Sequence, residues 1–107
     1  MKAKRFEVYL VNLDPTLGVE IRKTRPCLII SPDEMNAHLR TIVVAPMTTK
    51  SKKYPSRIEV KHESKVGWIV LDQVRTIDKL RIVKQIGLLS GPEIKEVKAV
   101  LKEMFVD

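Results

Sequence analysis

Three side chains in this sequence are suited to chemistry on a phosphate group: Arg25, Thr48 and Glu20. A planar Arg guanidinium meets phosphate oxygens with two parallel hydrogen bonds, and a Thr hydroxyl can donate to a further oxygen. A carboxylate near a ribose 2′-OH can accept its proton. Because RNA carries its own nucleophile in that hydroxyl, these groups suffice for cleavage by positioning and charge stabilisation. Residue types alone leave open whether the three side chains meet.

Other common reaction chemistries lack their motifs. His38 and His62 stand alone, and no group of His, Cys and carboxylate residues has the spacing of a metal site. The four glycines are scattered and form no phosphate-binding loop, and the chain has no Gly-x-Ser-x-Gly motif for acyl transfer. We therefore predict neither a metal nor another cofactor. Phosphate chemistry performed by Arg, Thr and carboxylate groups remains.

The charge of the chain favours an anionic partner. The sequence has 20 Lys+Arg and 13 Asp+Glu, a net charge of +7. From Gly91 onward three Lys stand against four acidic residues, so residues 1–90 carry all of the positive excess. Such a field is the usual electrostatic footprint of nucleic-acid binding, although it also serves plain solubility.

A basic cluster follows Thr48 directly. Its members are Lys50, Lys52, Lys53 and Arg57. We interpret the cluster as a track for RNA phosphates, the alternative being a solvated loop. Tyr54 lies inside the cluster and, like Trp68, has a ring on which a base can stack. Because Trp68 stands within an apolar segment, we expect it to be part of the core.

Short apolar segments separated by turn residues dominate residues 1–90. They predict strands near residues 7–11, 25–30, 41–45, 57–61, 68–71 and 81–83. Ser90 and Glu93 have the spacing of a capping box, and apolar residues recur every three or four positions thereafter, which predicts a C-terminal helix. The pattern favours one mainly β domain over residues 1–107, built as a small barrel with a helix.

A long connection separates the first two predicted strands. Residues 15–24 contain Gly18 and Glu20 together with two basic residues. A connection of this length in a compact domain is usually functional or disordered.

The single cysteine and the chain's hydropathy bear on its compartment. Cys27 stands in the apolar segment 27–30 and is expected to be a buried thiol in a reducing environment. Neither a signal peptide nor a membrane-spanning segment is recognisable. We therefore expect a cytoplasmic protein that does not associate with a membrane.

Three blocks of the sequence resemble the MazF/PemK toxin family. The first is Gly18-x-Glu20 with Arg25-Pro26-x-Leu28-Ile29-Ile30-Ser31 and Asn36, the second is Pro46-Met47-Thr48-Thr49-Lys50-Ser51-Lys52-Lys53-Tyr54-Pro55, and the third is Asp72-Gln73-Val74-Arg75-Thr76-Ile77-Asp78 with Arg81. The blocks occur in family order and at family spacing over residues 5–90. Each block alone is a weak signal, whereas three in register are specific.

The resemblance implies an SH3-like β-barrel with a C-terminal helix, acting as a homodimer. It implies a metal-independent endoribonuclease toxin that cuts single-stranded RNA at short motifs, leaves a 2′,3′-cyclic phosphate and a 5′-hydroxyl, and is inhibited by a cognate antitoxin. By position, Arg25 and Thr48 are the catalytic residues, and Glu20 is a proton acceptor or substrate contact. The predicted RNA-binding residues are Gly18, Lys50, Lys52, Lys53, Gln73 and Arg75.

Two positions depart from one branch of the family. That branch has a His just before the loop Glu and an Arg two residues before the Asp-Gln pair, where this chain has Val19 and Val70. Asp72 is present without these helpers, so we favour catalysis by Arg25 with Thr48. We interpret Asp72 as structural, given the hydrogen-bonding needs of a buried carboxylate. The general base stays open between Asp72 and the loop carboxylate.

Two other functions fit the same class of fold. One is a barrel that binds nucleic acid without cleaving it, and the other is a toxin that poisons DNA gyrase. Gyrase-poisoning toxins of this fold rely on a C-terminal Trp, whereas this sequence reads Met-Phe-Val-Asp at positions 104–107. The combination of Arg25, Thr48 and Glu20 favours the nuclease over both.

Overall fold

Seven strands and two helices follow one another in the computed structural model, which describes residues 2–62 and 65–106. The strands are β1 (Glu7–Asn12), β2 (Thr24–Ile29), β3 (Thr41–Thr48), β4 (Arg57–His62), β5 (Lys65–Val70), β6 (Arg75–Asp78) and β7 (Ile82–Leu88). The helices are α1 (Asp33–His38) and α2 (Gly91–Phe105), and 3-10 turns occupy Leu71–Gln73 and Lys79–Arg81. Among the described residues, neither helix is long and apolar enough to cross a membrane.

The strands form one antiparallel sheet in the order β4-β5-β3-β2-β1-β7, with β6 beside β3. One edge of β3 pairs with β2, and its other edge pairs with β6 over residues 41–44 and then with β5 at residues 47–48. The described residues show no pairing between the outer strands β4 and β7. The mainly β fold with a C-terminal helix is therefore confirmed, but the sheet is open and "barrel" describes it only loosely.

The central strands are buried on both faces. Leu28 and Ala45 belong to one core cluster, whereas their chain neighbours Cys27 and Val44 belong to a second cluster. Since successive residues of a strand point to opposite faces, a strand covered on both sides must be apolar at every position. This explains why the segment 27–30 shows no alternation of polar and apolar residues.

Helix α2 begins at the predicted capping box and covers one of the two clusters. Ser90 Oγ accepts a hydrogen bond from the Glu93 N–H (3.3 Å), and the Glu93 carboxylate accepts one from the Ser90 N–H (2.9 Å). Val97 is fully buried in the cluster, with Val100 and Leu101 packed against it. The apolar face predicted for this helix is thus a part of the core.

Strand β3 runs through Pro46 to Thr48, so the end predicted for it near residue 45 was wrong. The Ile30 N–H donates to the Val43 carbonyl, and the alternation of an antiparallel ladder makes Cys27 and Pro46 a non-hydrogen-bonded pair. The backbone nitrogen of Pro46, which carries no hydrogen, therefore faces away from β2. On that side of β3 the neighbouring strand changes from β6 to β5 near this residue. A proline is tolerated there, and Thr48 is consequently held in the sheet.

Two residues of the first sequence block hold the backbone together. Ser31 Oγ donates to Asn36 Oδ1 (2.5 Å) and accepts from the Val43 N–H (3.0 Å), while Asn36 Nδ2 donates to the Ser31 carbonyl (2.9 Å). Ser31 and Asn36 are both buried. Because buried polar groups need hydrogen-bond partners, the pair stabilises the junction of α1 with β3. These two motif positions have a structural role.

Candidate active site

Arg25 and Thr48 lie side by side at the ends of β2 and β3. The register pairs Cys27 with Pro46, and Arg25 and Thr48 each lie two residues beyond this pair on their own strand. A hollow of about 120 Å³ lies between them, lined by Arg25, Pro26, Met47, Thr48, Thr49 and Gly67. The structure therefore brings together the two residues predicted to be catalytic.

Local hydrogen bonds orient both groups of this hollow. Arg25 Nε donates to the Arg22 carbonyl (3.2 Å), which ties the guanidinium to the preceding loop. Thr48 Oγ1 accepts from the Lys50 N–H (3.2 Å), so its own proton is available for donation elsewhere. Both side chains are half-buried. A fixed cation beside a fixed hydroxyl donor suits two oxygens of one phosphate.

Gly67 contributes to the hollow and was missed by sequence reasoning. A Cβ atom at Gly67 would lie 3.9 Å from the Thr48 carbonyl oxygen, an ordinary contact that would nevertheless occupy space beside the hydroxyl-bearing residue. A glycine inside a strand pattern is a known sign of close approach by a ligand or by another backbone. That signal was present in the segment that became β5.

A second hollow, of about 220 Å³, adjoins the first along β3. Its lining residues are Glu20, Ile21, Pro46, Asp72, Gln73, Val74 and Arg75. Pro46 lines this hollow, while the next two residues of β3 line the first. Glu20 is thus grouped with Gln73 and Arg75, two of the predicted RNA-binding residues, and not with the catalytic pair.

Gln73 and Arg75 hold the loop between β1 and β2. Gln73 Oε1 accepts from the Ile21 N–H (2.8 Å), and Arg75 Nη1 donates to the Leu13 carbonyl (3.2 Å). These bonds join positions 52 and 62 residues apart in sequence. Both residues therefore position the loop, a role that spacing in the sequence does not reveal.

Gly18 and Glu20 shape the tip of the same loop. Gly18 has φ +57°, in the left-handed region that glycine adopts without strain. The Glu20 N–H donates to the Leu17 carbonyl (3.2 Å), and one Glu20 carboxylate oxygen accepts from the Leu17 N–H (2.6 Å). The Glu20 carboxylate holds this turn and stands exposed beside the second hollow.

Asp72 forms a bidentate ion pair, a fork of two hydrogen bonds, with Arg57. Arg57 Nε donates to Oδ1 (3.1 Å) and Nη2 to Oδ2 (3.1 Å), and Ser56 Oγ donates to Oδ1 (3.0 Å). The hydrogen bonds from Arg57 lower the pKa of Asp72 and raise that of Arg57. A carboxylate stabilised in its charged form is a poor proton acceptor. Arg57, interpreted from sequence as part of the phosphate track, is paired instead.

The three lysines of the basic cluster are exposed on the segment between β3 and β4. Lys50, Lys52 and Lys53 follow the end of β3 at Thr48. Among the described residues, no carboxylate forms an ion pair with any of these three ammonium groups. The lysines remain suited to phosphate contacts.

Trp68 is half-buried and lines a groove beside Tyr54. Its predicted position in the core was therefore wrong. An apolar segment of sequence does not tell whether a strand residue is packed inside the core or lines a groove. In both positions most of the side-chain surface is shielded from bulk water.

Cys27 is fully buried in the second core cluster. Desolvation raises the pKa of the Cys27 thiol to about 12, against the positive charge of Arg75, which lowers it. Since the thiolate is the nucleophile, a thiol with this pKa is unreactive at neutral pH. Among the described residues, no three His, Cys, Asp or Glu side chains lie close enough together to hold a metal ion.

The fold and the two hollows define a small, mainly β protein whose site suits an anionic, phosphate-bearing ligand. The sequence model of one family matches residues 4–105. The chain belongs to that family, the PemK-like, MazF-like toxins of type II toxin–antitoxin systems. The family inferred from the three sequence blocks is thereby confirmed.

Individual relatives agree with this assignment. Endoribonuclease MazF of Staphylococcus saprophyticus is 35% identical over 100 residues, which cover 88% of this chain and 83% of that protein. MazF from Deinococcus radiodurans has a TM-score of 0.86 at 23% identity, covering 97% of this chain and 96% of that one. A mycobacterial endoribonuclease in complex with its cognate antitoxin has a TM-score of 0.80 at 20% identity, covering 94% and 92%. The solved structures share the fold of this chain.

The Asp72–Arg57 pair predicts a pH-dependent stability. We expect Asp72→Asn to lower the free energy of unfolding by about 1 kcal/mol at neutral pH, since the pair is partly exposed. Because the folded pKa of Asp72 lies below the unfolded value of 3.8, the contribution is present above 3.8 and is lost as the pH falls through the folded pKa. Urea unfolding of both proteins from about pH 7 to about pH 2 measures the difference. A difference that persists unchanged at the acid end would contradict this.

Proposed function

We propose that this chain is a metal-independent endoribonuclease that cleaves single-stranded RNA at short sequence motifs. The observation that carries the proposal is the hollow shared by Arg25 and Thr48. The kinship with a protein named endoribonuclease MazF supports it. The positive excess of residues 1–90 attracts an RNA strand, and so do the three lysines after Thr48, which have no ion-pair partner in the part of the chain that the structure describes.

The proposed reaction exchanges one P–O bond for another. The substrate's 2′-oxygen attacks the adjacent phosphorus, and the bond from phosphorus to the 5′-oxygen breaks. The 2′-OH loses a proton and the departing 5′-oxygen gains one, so the products are a 2′,3′-cyclic phosphate and a 5′-hydroxyl. Charge builds up on the non-bridging oxygens as the bond forms, and this charge is what the protein must stabilise.

Each residue of the first hollow has a defined part in that step. Arg25 binds non-bridging oxygens through its guanidinium, whose planar fork matches two of them. The Thr48 hydroxyl, which already accepts from the Lys50 N–H, donates its proton to a non-bridging oxygen. Because both groups lie on strands of a buried sheet, they need little rearrangement when charge develops.

Cleavage assays on a long single-stranded RNA test these roles. We expect Arg25→Ala and Thr48→Val each to lower the cleavage rate by at least about 100-fold, since each removes a donor to the transition state. Thr48→Ser is the matched control and should retain most activity because it keeps the hydroxyl. Wild-type activity should persist in EDTA, with product ends mapped by primer extension and by phosphatase sensitivity.

Several outcomes would overturn the proposal. Loss of wild-type cleavage on chelation would exclude the metal-independent mechanism, and an Arg25→Ala protein that cuts at the wild-type rate would remove Arg25 from the site. Intact RNA together with inhibited DNA gyrase would support the gyrase-poisoning alternative. Tight RNA binding without any cleavage would support a purely binding protein.

We assign the general base to Glu20 in preference to Asp72. Asp72 is occupied by Arg57 and Ser56, whereas Glu20 gives one carboxylate oxygen to the Leu17 N–H and is exposed beside the neighbouring hollow. Closure of the loop on bound RNA would bring Glu20 toward the reacting 2′-OH. The loop carboxylate is therefore the better placed proton acceptor.

Amide substitutions separate the two carboxylates. Glu20→Gln keeps an oxygen for the Leu17 N–H but cannot accept a proton, so we expect a cleavage rate lower by about 100-fold or more. Asp72→Asn should change the rate only a few-fold, because it disturbs an ion pair outside the first hollow. Single-turnover cleavage of one RNA by the two variants measures this. The reverse order of effects would assign the base to Asp72.

We further propose that the chain forms a homodimer and is inhibited by an antitoxin. The solved mycobacterial endoribonuclease with this fold is in complex with its cognate antitoxin. Val83, Ile86 and Leu88 leave exposed apolar surface on the outer strand β7, which a second chain can bury. Light scattering of the wild-type protein should give a mass twice the chain mass of 12.3 kDa. The Val83→Glu variant should give a mass closer to that of a single chain. A wild-type monomer at micromolar concentration would contradict the dimer.

A further inference from the structure

A groove of about 530 Å³ lies between β4, β5 and α2, outside both hollows of the candidate active site. We call it the aromatic groove and define it by Lys53, Tyr54, Glu59, Trp68 and Glu96. Its residues come from the segment before β4, from the two strands and from the helix. Nothing in the cleavage step described above uses it.

Strand pairing connects the aromatic groove to the catalytic hollow. Thr48 on β3 is the direct partner of Trp68 on β5, and Trp68 is the direct partner of Glu59 on β4. Directly opposed residues in an antiparallel pair have Cβ atoms about 5 Å apart. An RNA strand with a phosphate at Thr48 can therefore place a flanking nucleotide in the groove.

The groove contains two aromatic side chains that are suited to stacking with a base. Tyr54 is 48% exposed, and the Arg57 guanidinium lies 4.9 Å from the centre of its ring. Arg57 is itself fixed by its fork to Asp72. Trp68 is half-buried in the same groove. Aromatic rings bind unstacked bases of single-stranded RNA, because every base has a π-face.

The charges of the groove suit a base and not a phosphate. Glu59 and Glu96 place two carboxylates beside the rings, while Lys53 is the cation of the groove that has no ion-pair partner among the described residues. Carboxylates repel phosphate but accept hydrogen bonds from base amino groups. Uracil has no amino group, and its carbonyl oxygens would face the carboxylates. Adenine, cytosine and guanine each have one.

We propose that the aromatic groove is a base-binding subsite that takes an amino-bearing base flanking the scissile phosphate. Tyr54 and Trp68 stack with the base, Glu59 or Glu96 accepts from its amino group, and Lys53 contacts the adjoining phosphate. The subsite extends the proposed function, since it rests on an RNA strand bound at Thr48. It gives the enzyme a sequence preference at one position next to the cut.

Tryptophan fluorescence provides a direct test, because Trp68 is the only tryptophan of the chain. The wild-type protein is titrated with short oligocytidylate, oligoadenylate and oligouridylate whose 2′-oxygens are methylated, so that they cannot be cleaved. We expect the cytidine and adenosine oligomers to quench Trp68 and to bind about tenfold more tightly than the uridine oligomer.

Matched variants assign the effect to the groove. Tyr54→Ala should weaken binding of oligocytidylate about tenfold, whereas Tyr54→Phe keeps the ring and should bind like wild type. Tyr54 is exposed, so both variants are expected to fold. Replacing Glu59 and Glu96 together by Gln should reduce the preference for the cytidine and adenosine oligomers over the uridine oligomer. The reason is that an amide can also donate a hydrogen bond to the carbonyl groups of uracil.

The failure of this proposal and that of the nuclease are separable. Binding without any change in Trp68 fluorescence, or equal affinity of Tyr54→Ala and Tyr54→Phe, would overturn the subsite. Equal quenching by uridine and cytidine oligomers would overturn the preference for amino-bearing bases. If the protein cleaves no RNA but shows the expected fluorescence response, the nuclease is wrong, whereas the groove is still a site that binds amino-bearing bases.

Discussion

The pairing of β2 with β3 is the constraint on which the site depends. Both strands are buried on two faces, and a slip of one residue would exchange the side chains that pack in the two core clusters. Arg25 and Thr48 each lie two residues beyond the pair Cys27–Pro46, and they line one hollow. The change of partner at Pro46 lets β3 continue to Thr48 and then pair with Trp68. One strand therefore connects the hollow lined by Arg25 and Thr48 to the aromatic groove.

Around this sheet, polar side chains decide which charges are free to act. Arg57 and Asp72 bind each other, so neither side chain is free to take part in a reaction. Their ion pair instead stabilises the start of β4. Gln73 instead holds the loop that contains Glu20 near the second hollow. The lysines after Thr48 are exposed and have no ion-pair partner among the described residues, which is what the proposed binding of an RNA strand requires.

Much of the fold was predictable because its signals are local. Helix α2 has a capping box and an apolar residue at every third or fourth position, and both features are read within one stretch of chain. Strand β6 and helix α1 were not predicted, since four and six residues carry too little periodicity. The assignment of Trp68 to the core failed for a related reason: hydropathy records the side chain's character but not what covers it.

For the site, the sequence by itself determined the family, the residue types suited to phosphate chemistry, and the order in which they occur along the chain. Only the tertiary structure decided that Arg25 and Thr48 share a hollow, that Glu20 stands apart from them, and that Asp72 is neutralised by Arg57. The reason is physical. Chemistry depends on distances between residues far apart in sequence, and those distances follow from strand register and packing of the whole sheet, which no local pattern encodes.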